Sequence, residues 1–152
     1  MKVFIVLLLN VFYLHALSPS DLVGNWQAVT QSTNNGTDTI EKEYLNLRAD
    51  HTFSIVLLVS IQKNDAYVKD LHIEASGIWK NRDNILVVVI KKIEVPYAKE
   101  VHLISQESLE NLSNYFKDKF HHEPIRISIV KNATTHTVTL VSENLRETVY
   151  NR

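Results

Sequence analysis

His72 and Glu74 stand two residues apart in the stretch "YVKDLHIEASGIWK". On a strand this spacing puts both side chains on one face, where they could ligate a metal ion. No third ligand is placed by spacing, and the polar alternation of an exposed strand explains the pair as well. His121, His122 and Glu123 form a second group at the end of a helical segment. A zinc or nickel role is open there, although histidine also suits the negative end of a helix dipole. Glu41 and Glu43 again share a face and read most simply as the wet side of a strand. The three glycines form no Gly-x-Ser-x-Gly elbow, no phosphate loop and no dinucleotide fingerprint. Nothing in the chain demands catalysis, so no catalytic residue, metal or cofactor is assigned and the expectation is a protein that is not an enzyme.

The elements around these residues are mostly strands. "NWQAVTQS" (25–32) ends in the loop signal "TNNGTD", and "IEKEYLNLR" (40–48) follows. In "TFSIVLLVSIQ" a period of two puts Phe53, Ile55, Leu57, Val59 and Ile61 on one side. "YVKDLHIEASGIWK" is a long strand that Gly77 bends or bulges. In "ILVVVIKKIEV" both faces are apolar from Ile85 to Ile90, so something must cover the outer face. Pro96 is expected to end that strand, with "YAKEVHLI" as a separate sixth.

The period then changes. Leu109, Leu112, Phe116 and Phe120 form one helical stripe, with Ser105 as N-cap, Glu107 in the first turn and Pro124 just past the end. The stripe reads as packing onto a sheet, and the doubly apolar strand is a natural place for it. "IRISIVK" and "HTVTLVS" then read as a hairpin with Ile125, Ile127 and Ile129 facing Val138 and Leu140, and "ETVYNR" adds a short last strand. The expectation is a mainly β chain: an eight- to nine-stranded antiparallel up-and-down barrel with one helix near residues 105–122.

Lys plus Arg number 16 against 17 Asp plus Glu in 152 residues, which allows one domain with a sizeable core and offers no basic stripe to a nucleic acid. "MKVFIVLLLNVFYLHAL" carries Lys2 before an apolar run from Val3 to Leu14 and a small residue at Ala16. The pattern is that of a secretory signal cleaved after Ala16, and the run is shorter than the about 20 residues a spanning helix needs. Residues 17–152 then form a single secreted or periplasmic domain without stable membrane insertion. Cysteine is absent, which excludes disulfides and thiolate sites. Three sequons, at Asn35, Asn111 and Asn132, matter only in a cell that glycosylates exported proteins.

Near the start of this domain, "LVGNWQAV" places Gly24 two residues before Trp26. This resembles the first signature of the lipocalins, where a Gly-x-Trp on the first strand closes the base of an eight-stranded barrel. "LNLRADHTFSI" and "ASGIWKNRDNILVVV", with Gly77-Ile78-Trp79, resemble small bacterial lipocalin-like domains. The resemblance covers about Leu22 to Ile90. It implies that Gly24 and Trp26 are structural and that a late arginine lies against the tryptophan: Arg146 matches best by position, with Arg126 as competitor. The chain departs from the family in lacking a Thr-Asp-Tyr-type turn and in placing its helix before the final strands.

The resemblance also implies a small hydrophobic or amphipathic ligand inside the barrel, bound without being transformed. Periodicity supplies its expected lining: Phe53, Ile55, Leu57, Val87, Val89, Ile127, Ile129, Val138 and Leu140, with Tyr44 and Tyr67 adding hydroxyls. Two alternatives stand beside this reading. One is a filled barrel that grips a protein partner through "TQSTNNGTDT" and "KFHHEP". The other is a barrel isomerase or cyclase, which would need a titratable cluster inside, such as an inward His72 or Glu74.

Overall fold

The computed structural model describes residues 17–152, so the leader expected at residues 1–16 lies outside the described residues. Eight strands close into one antiparallel barrel in sequence order: β1 (Gly24–Asn34), β2 (Thr37–Leu47), β3 (Thr52–Lys63), β4 (Ala66–Arg82), β5 (Ile85–His102), β6 (Ile125–Ala133), β7 (Thr137–Ser142) and β8 (Glu147–Asn151). A short turn of helix, α1 (Pro19–Leu22), precedes β1, and α2 (Gln106–His122) joins β5 to β6. Asn35 and Gly36 both take positive φ, the geometry a tight two-residue hairpin requires. Asn64 and Asp83 take positive φ in the turns that follow β3 and β4.

One boundary differs from the sequence reading. Residues 85–102 form a single strand, so the barrel has eight strands and not nine. Pro96 sits where the β4–β5 register slips, between the pairs His72↔Tyr97 and Glu74↔Glu94. A proline cannot donate to a ladder, and at a bulge no donor is required of it. A second slip falls at Gly77, where an added Cβ would lie 1.9 Å from the Val89 carbonyl oxygen. Only glycine allows β5 to approach β4 so closely there.

The end of the barrel at which β1 starts is closed by packing. Trp26 is 2% exposed, and its indole Nε1 donates to the Leu22 carbonyl at 2.8 Å. Leu22, Leu47 and Phe53 are equally buried. The Arg152 guanidinium lies 4.2 Å from the centre of the Trp26 ring, and its Nη2 donates to the Val23 carbonyl at 2.6 Å. Gly24 accommodates it: its φ is +145°, and a Cβ would meet Arg152 Nη2 at 3.0 Å. The arginine on the tryptophan is therefore Arg152, not Arg146 or Arg126. β8 runs towards the base, so the residue past its end reaches Trp26, whereas Arg146 precedes its start at the opposite end of the barrel.

Ser105 caps α2, accepting from the Ser108 backbone N–H at 3.1 Å. Phe120 is buried, and Leu109, Leu112 and Phe116 pack partly against the core. The helix does not land on the outer face of Ile85–Ile90, as its stripe suggested. Leu109 instead shares a crevice with Leu71, Val95 and Ala98, beyond the point where β5 leaves β6. No helix among the described residues is long and apolar enough to cross a membrane.

Removing the plug should be costly. Trp26→Ala is expected to lose about 3–5 kcal/mol in urea unfolding, as buried aromatic truncations do. Gly77→Ala should also destabilise the chain strongly, because the atom it adds collides with backbone. Unchanged midpoints for both variants would refute this account of the base.

Candidate functional site

Strand alternation decides which side chains look inward. On β1, Trp26 and Ala28 are buried and Thr30 is in phase with them. The register pairs Trp26 with Leu45, Ala28 with Glu43 and Thr30 with Glu41. Glu41 and Glu43 therefore share the inner face with Leu45 and Leu47 and are not the wet side of β2. On β6 the inner residues are Arg126, Ser128 and Val130, because Arg126 pairs with the buried Val88 and Val130 with the buried Leu140. On β8 they are Thr148 and Tyr150.

These residues enclose a cavity of about 310 Å³ towards the end opposite Trp26. Its lining includes Thr30, Glu41, Glu43, Lys119, Arg126, Ser128, Leu140, Arg146 and Tyr150. Two polar rungs cross it. Tyr150 donates its hydroxyl to Glu43 at 2.9 Å, and Arg146 Nη2 lies 3.0 Å from Glu41. Both rungs run from β8 and its approach to β2, passing over β1, whose inner residues Ala28 and Thr30 are small. β1 and β8 themselves share only the register pair Gln27↔Asn151. The Glu41–Arg146 pair is part-exposed and contributes little to stability.

Glu43 and Tyr150 are both perturbed. Loss of water on burial raises the Glu43 pKa above the ordinary 4.5, and the Tyr150 hydrogen bond and the charge on Arg126 offset this only in part. Burial and the neighbouring Glu43 carboxylate push the Tyr150 hydroxyl up in turn, so it stays a donor. Arg126 stacks on the buried Phe120 ring, 4.4 Å from its centre. Among the described residues neither Arg126 nor Lys119 takes part in an ion pair within 4.0 Å, whereas Arg146 does. The lining thus carries three cations, Lys119, Arg126 and Arg146, and three carboxylates, Glu41, Glu43 and Glu143, of which Arg146 and Glu41 form an ion pair.

Of the residues expected to line a ligand site, Leu140 and Ile127 border this cavity. Phe53, Ile55, Leu57 and Val138 belong to the packed interior: Phe53 is wholly buried and Val138 is 2% exposed. Several others point the wrong way for an inner site. Val87 and Val89 alternate with the inward Leu86, Val88 and Ile90 and so face out, as does Ile129, 49% exposed. Ile127 presents its side chain to the same outer surface, 40% exposed. Tyr44 pairs with Gln27 and is 44% exposed. Tyr67 hydrogen-bonds Glu100 and stacks on His102, beside a groove of about 450 Å³ on the outside of β2–β4.

His72 and Glu74 also point outward, with Nε2 and Oε1 2.8 Å apart. His122 Nδ1 lies 2.8 Å from the Asp118 carbonyl of its own helix. Among the described residues no three side chains of His, Asp or Glu come together as a metal site would need. The residues that do come together, Glu41, Glu43, Arg126 and Tyr150, carried a readable signal. Both glutamates lie in phase with Leu45 and Leu47, and Arg126 and Ser128 in phase with Val130.

No protein-family model and no curated protein matches the chain.

The raised carboxyl has a definite pH signature. The unfolded chain releases the Glu43 proton near 4.5, while the folded barrel holds it to higher pH. Between those values the folded state binds more protons, so this group lowers stability as pH rises. Glu43→Gln lacks the proton and can still accept from Tyr150. Its stability relative to wild type should grow from about pH 4.5 upward and level off once the folded carboxyl is ionised. Urea unfolding across pH 4–8 measures this. Parallel curves for the two proteins would contradict it.

Proposed function

We propose that this chain is an exported lipocalin-like protein that binds one small amphipathic molecule without transforming it, the polar end of the ligand seated against Arg126 and Tyr150. The observation that carries the reading is the cavity of about 310 Å³ inside one end of a barrel whose other end is plugged. Its volume is at the small end of the about 300–1,000 Å³ usual for ligand pockets. The ligand should therefore be compact. Its charge is read from the cations of the lining that take part in no ion pair within 4.0 Å among the described residues: Arg126 and Lys119 favour an acid group, with Glu143 opposing it at the rim. Charge-assisted bonds from a guanidinium to an acid are among the stronger polar contacts.

The likeness to lipocalins draws support from the base. Gly24, Trp26 and a late arginine, Arg152, lie together there as the family resemblance implies. Secretion or a periplasmic location rests on the leader sequence. A second reading, a barrel isomerase or cyclase, draws on the Glu43–Tyr150 pair as a proton-transfer couple. Turnover of a bound compound, lost in Glu43→Gln, would favour it.

Isothermal titration with octanoate, octanol and octylamine tests the binding reading. Octanoate should bind tightest, and Arg126→Met should weaken it by roughly 10-fold or more, the worth of one hydrogen bond to a charged group. Absence of binding by all three, with no lipid or small acid co-purifying in mass spectrometry, would contradict the proposal.

A further inference from the structure

One buried polar atom at the base of the barrel is unsatisfied. Near the end of β4, Trp79 and Asn81 both turn inward, and Asn81 is 9% exposed. Its Nδ2 donates to the Leu17 carbonyl at 3.4 Å. Its Oδ1 has no hydrogen-bond partner among the described residues. Exchanging the two amide atoms would not help, because Oδ1 would then face the Leu17 carbonyl, acceptor against acceptor. A buried acceptor without a donor is costly, so such an atom asks for an explanation.

The segment that carries Leu17 is held in place. The Asp21 carboxylate accepts from the Ser18 backbone N–H at 2.8 Å, and the Ser18 carbonyl accepts from the Asp21 N–H at 3.0 Å. Leu22 is buried, and its carbonyl holds the Trp26 indole. Leu17 itself packs partly against the core. A residue's own nitrogen lies within about 3.6 Å of its carbonyl oxygen. The Leu17 nitrogen is therefore close to the Asn81 amide, at the point where the leader is expected to end. As a peptide nitrogen it has a single N–H fixed in the plane of its peptide group. As a free amino group it has three, which turn about the N–Cα bond. Asp21 brings a carboxylate one residue away, which suits a positive group, while Arg152, bonded to the Asp21 carbonyl at 3.5 Å, opposes it.

We propose that Asn81 receives the amino group that cleavage after Ala16 frees at Leu17, so that processing completes the plug of the barrel. The proposal rests on the reading of residues 1–16 as a cleaved leader. The amino group donates one N–H to Asn81 Oδ1, while Asn81 Nδ2 keeps the Leu17 carbonyl. The amide thus clamps the first residue through both of its polar atoms. The precursor lacks this bond and has the looser base of the two.

Two chains test the proposal: one starting at Leu17, released from a fusion that leaves no residue behind, and one carrying Gly-Ser before Leu17. In urea unfolding the folding equilibrium constant of the first should be about 10-fold or more greater, the worth of one hydrogen bond to a charged group. With Asn81→Ala in both chains the difference should vanish. Acylation by acetic anhydride needs no variant, and decides the matter if Asn81→Ala does not fold. The Leu17 amino group should react roughly 10-fold or more slowly than that of the Gly-Ser chain, since it is reached only when the segment opens. Equal stability of the two chains, an advantage that survives Asn81→Ala, or equal acylation rates would overturn the proposal alone. Mass spectrometry of the exported protein reads its first residue separately. Leu17 there supports the proposal, and any other residue overturns it together with the leader reading.

Discussion

The barrel depends on the stack formed by Gly24, Trp26 and Arg152. With no cysteine to staple it, the chain must close one end by packing alone. An indole is the largest plug available, and its one donor is satisfied by the Leu22 carbonyl. The guanidinium on its face belongs to the segment that ends β8, and its bond to the Val23 carbonyl ties that segment to the start of β1. The seam between these two strands has a single register pair, so this tie and the Tyr150–Glu43 rung carry much of the closure. Gly24 is the condition for the stack, since a side chain there would occupy the place of the guanidinium.

Plugging one end with Trp26, Leu22 and Phe53 leaves the other end to differ in character. Towards α2 the interior holds two carboxylates, two guanidiniums and a tyrosine where an all-purpose core would hold leucine and valine. A carboxyl kept largely from water costs stability, and Glu43 is only partly compensated by its neighbours. Perturbed carboxyls of this kind occur both at functional sites and in structural networks. β6 shows the same division: its isoleucines are turned out and its arginine and serine in, held by pairing of Val130 with Leu140 and by a backbone bond from Val130 to the Asn84 carbonyl. One strand thus supplies polar atoms to the cavity and apolar surface to the outside.

Much of the architecture was legible. The period-two face of β3, the loop at "TNNGTD", the helix cap at Ser105 and the barrel class follow from local patterns that tertiary context does not override. Three features were not legible, each for a physical reason. Pro96 reads as a strand end because the bulge that excuses its missing donor is a property of the partner strand. The facing of β6 was assigned by giving the most apolar residues to the interior, a rule that fails when the outside is apolar and the inside polar. The arginine on Trp26 was sought near the start of the last strand, whereas strand direction brings the other end of it to the base. In the candidate site, Glu41 and Glu43 were visible as a pair but not as an inward one. Their phase with Leu45 and Leu47 was the clue.

The central claim is that one end is sealed and the other receives the ligand. Both indole N–H groups lie at the sealed end and donate to backbone carbonyls, Trp26 to Leu22 and Trp79 to Arg48. Proton–nitrogen NMR spectra recorded during titration with octanoate separate the two ends in one experiment. The account predicts shifts at the amides of Glu43, Arg126, Leu140 and Tyr150, with both indole signals unmoved and protected from solvent exchange. Shifted or rapidly exchanging indole signals, with the Arg126 region unchanged, would contradict it.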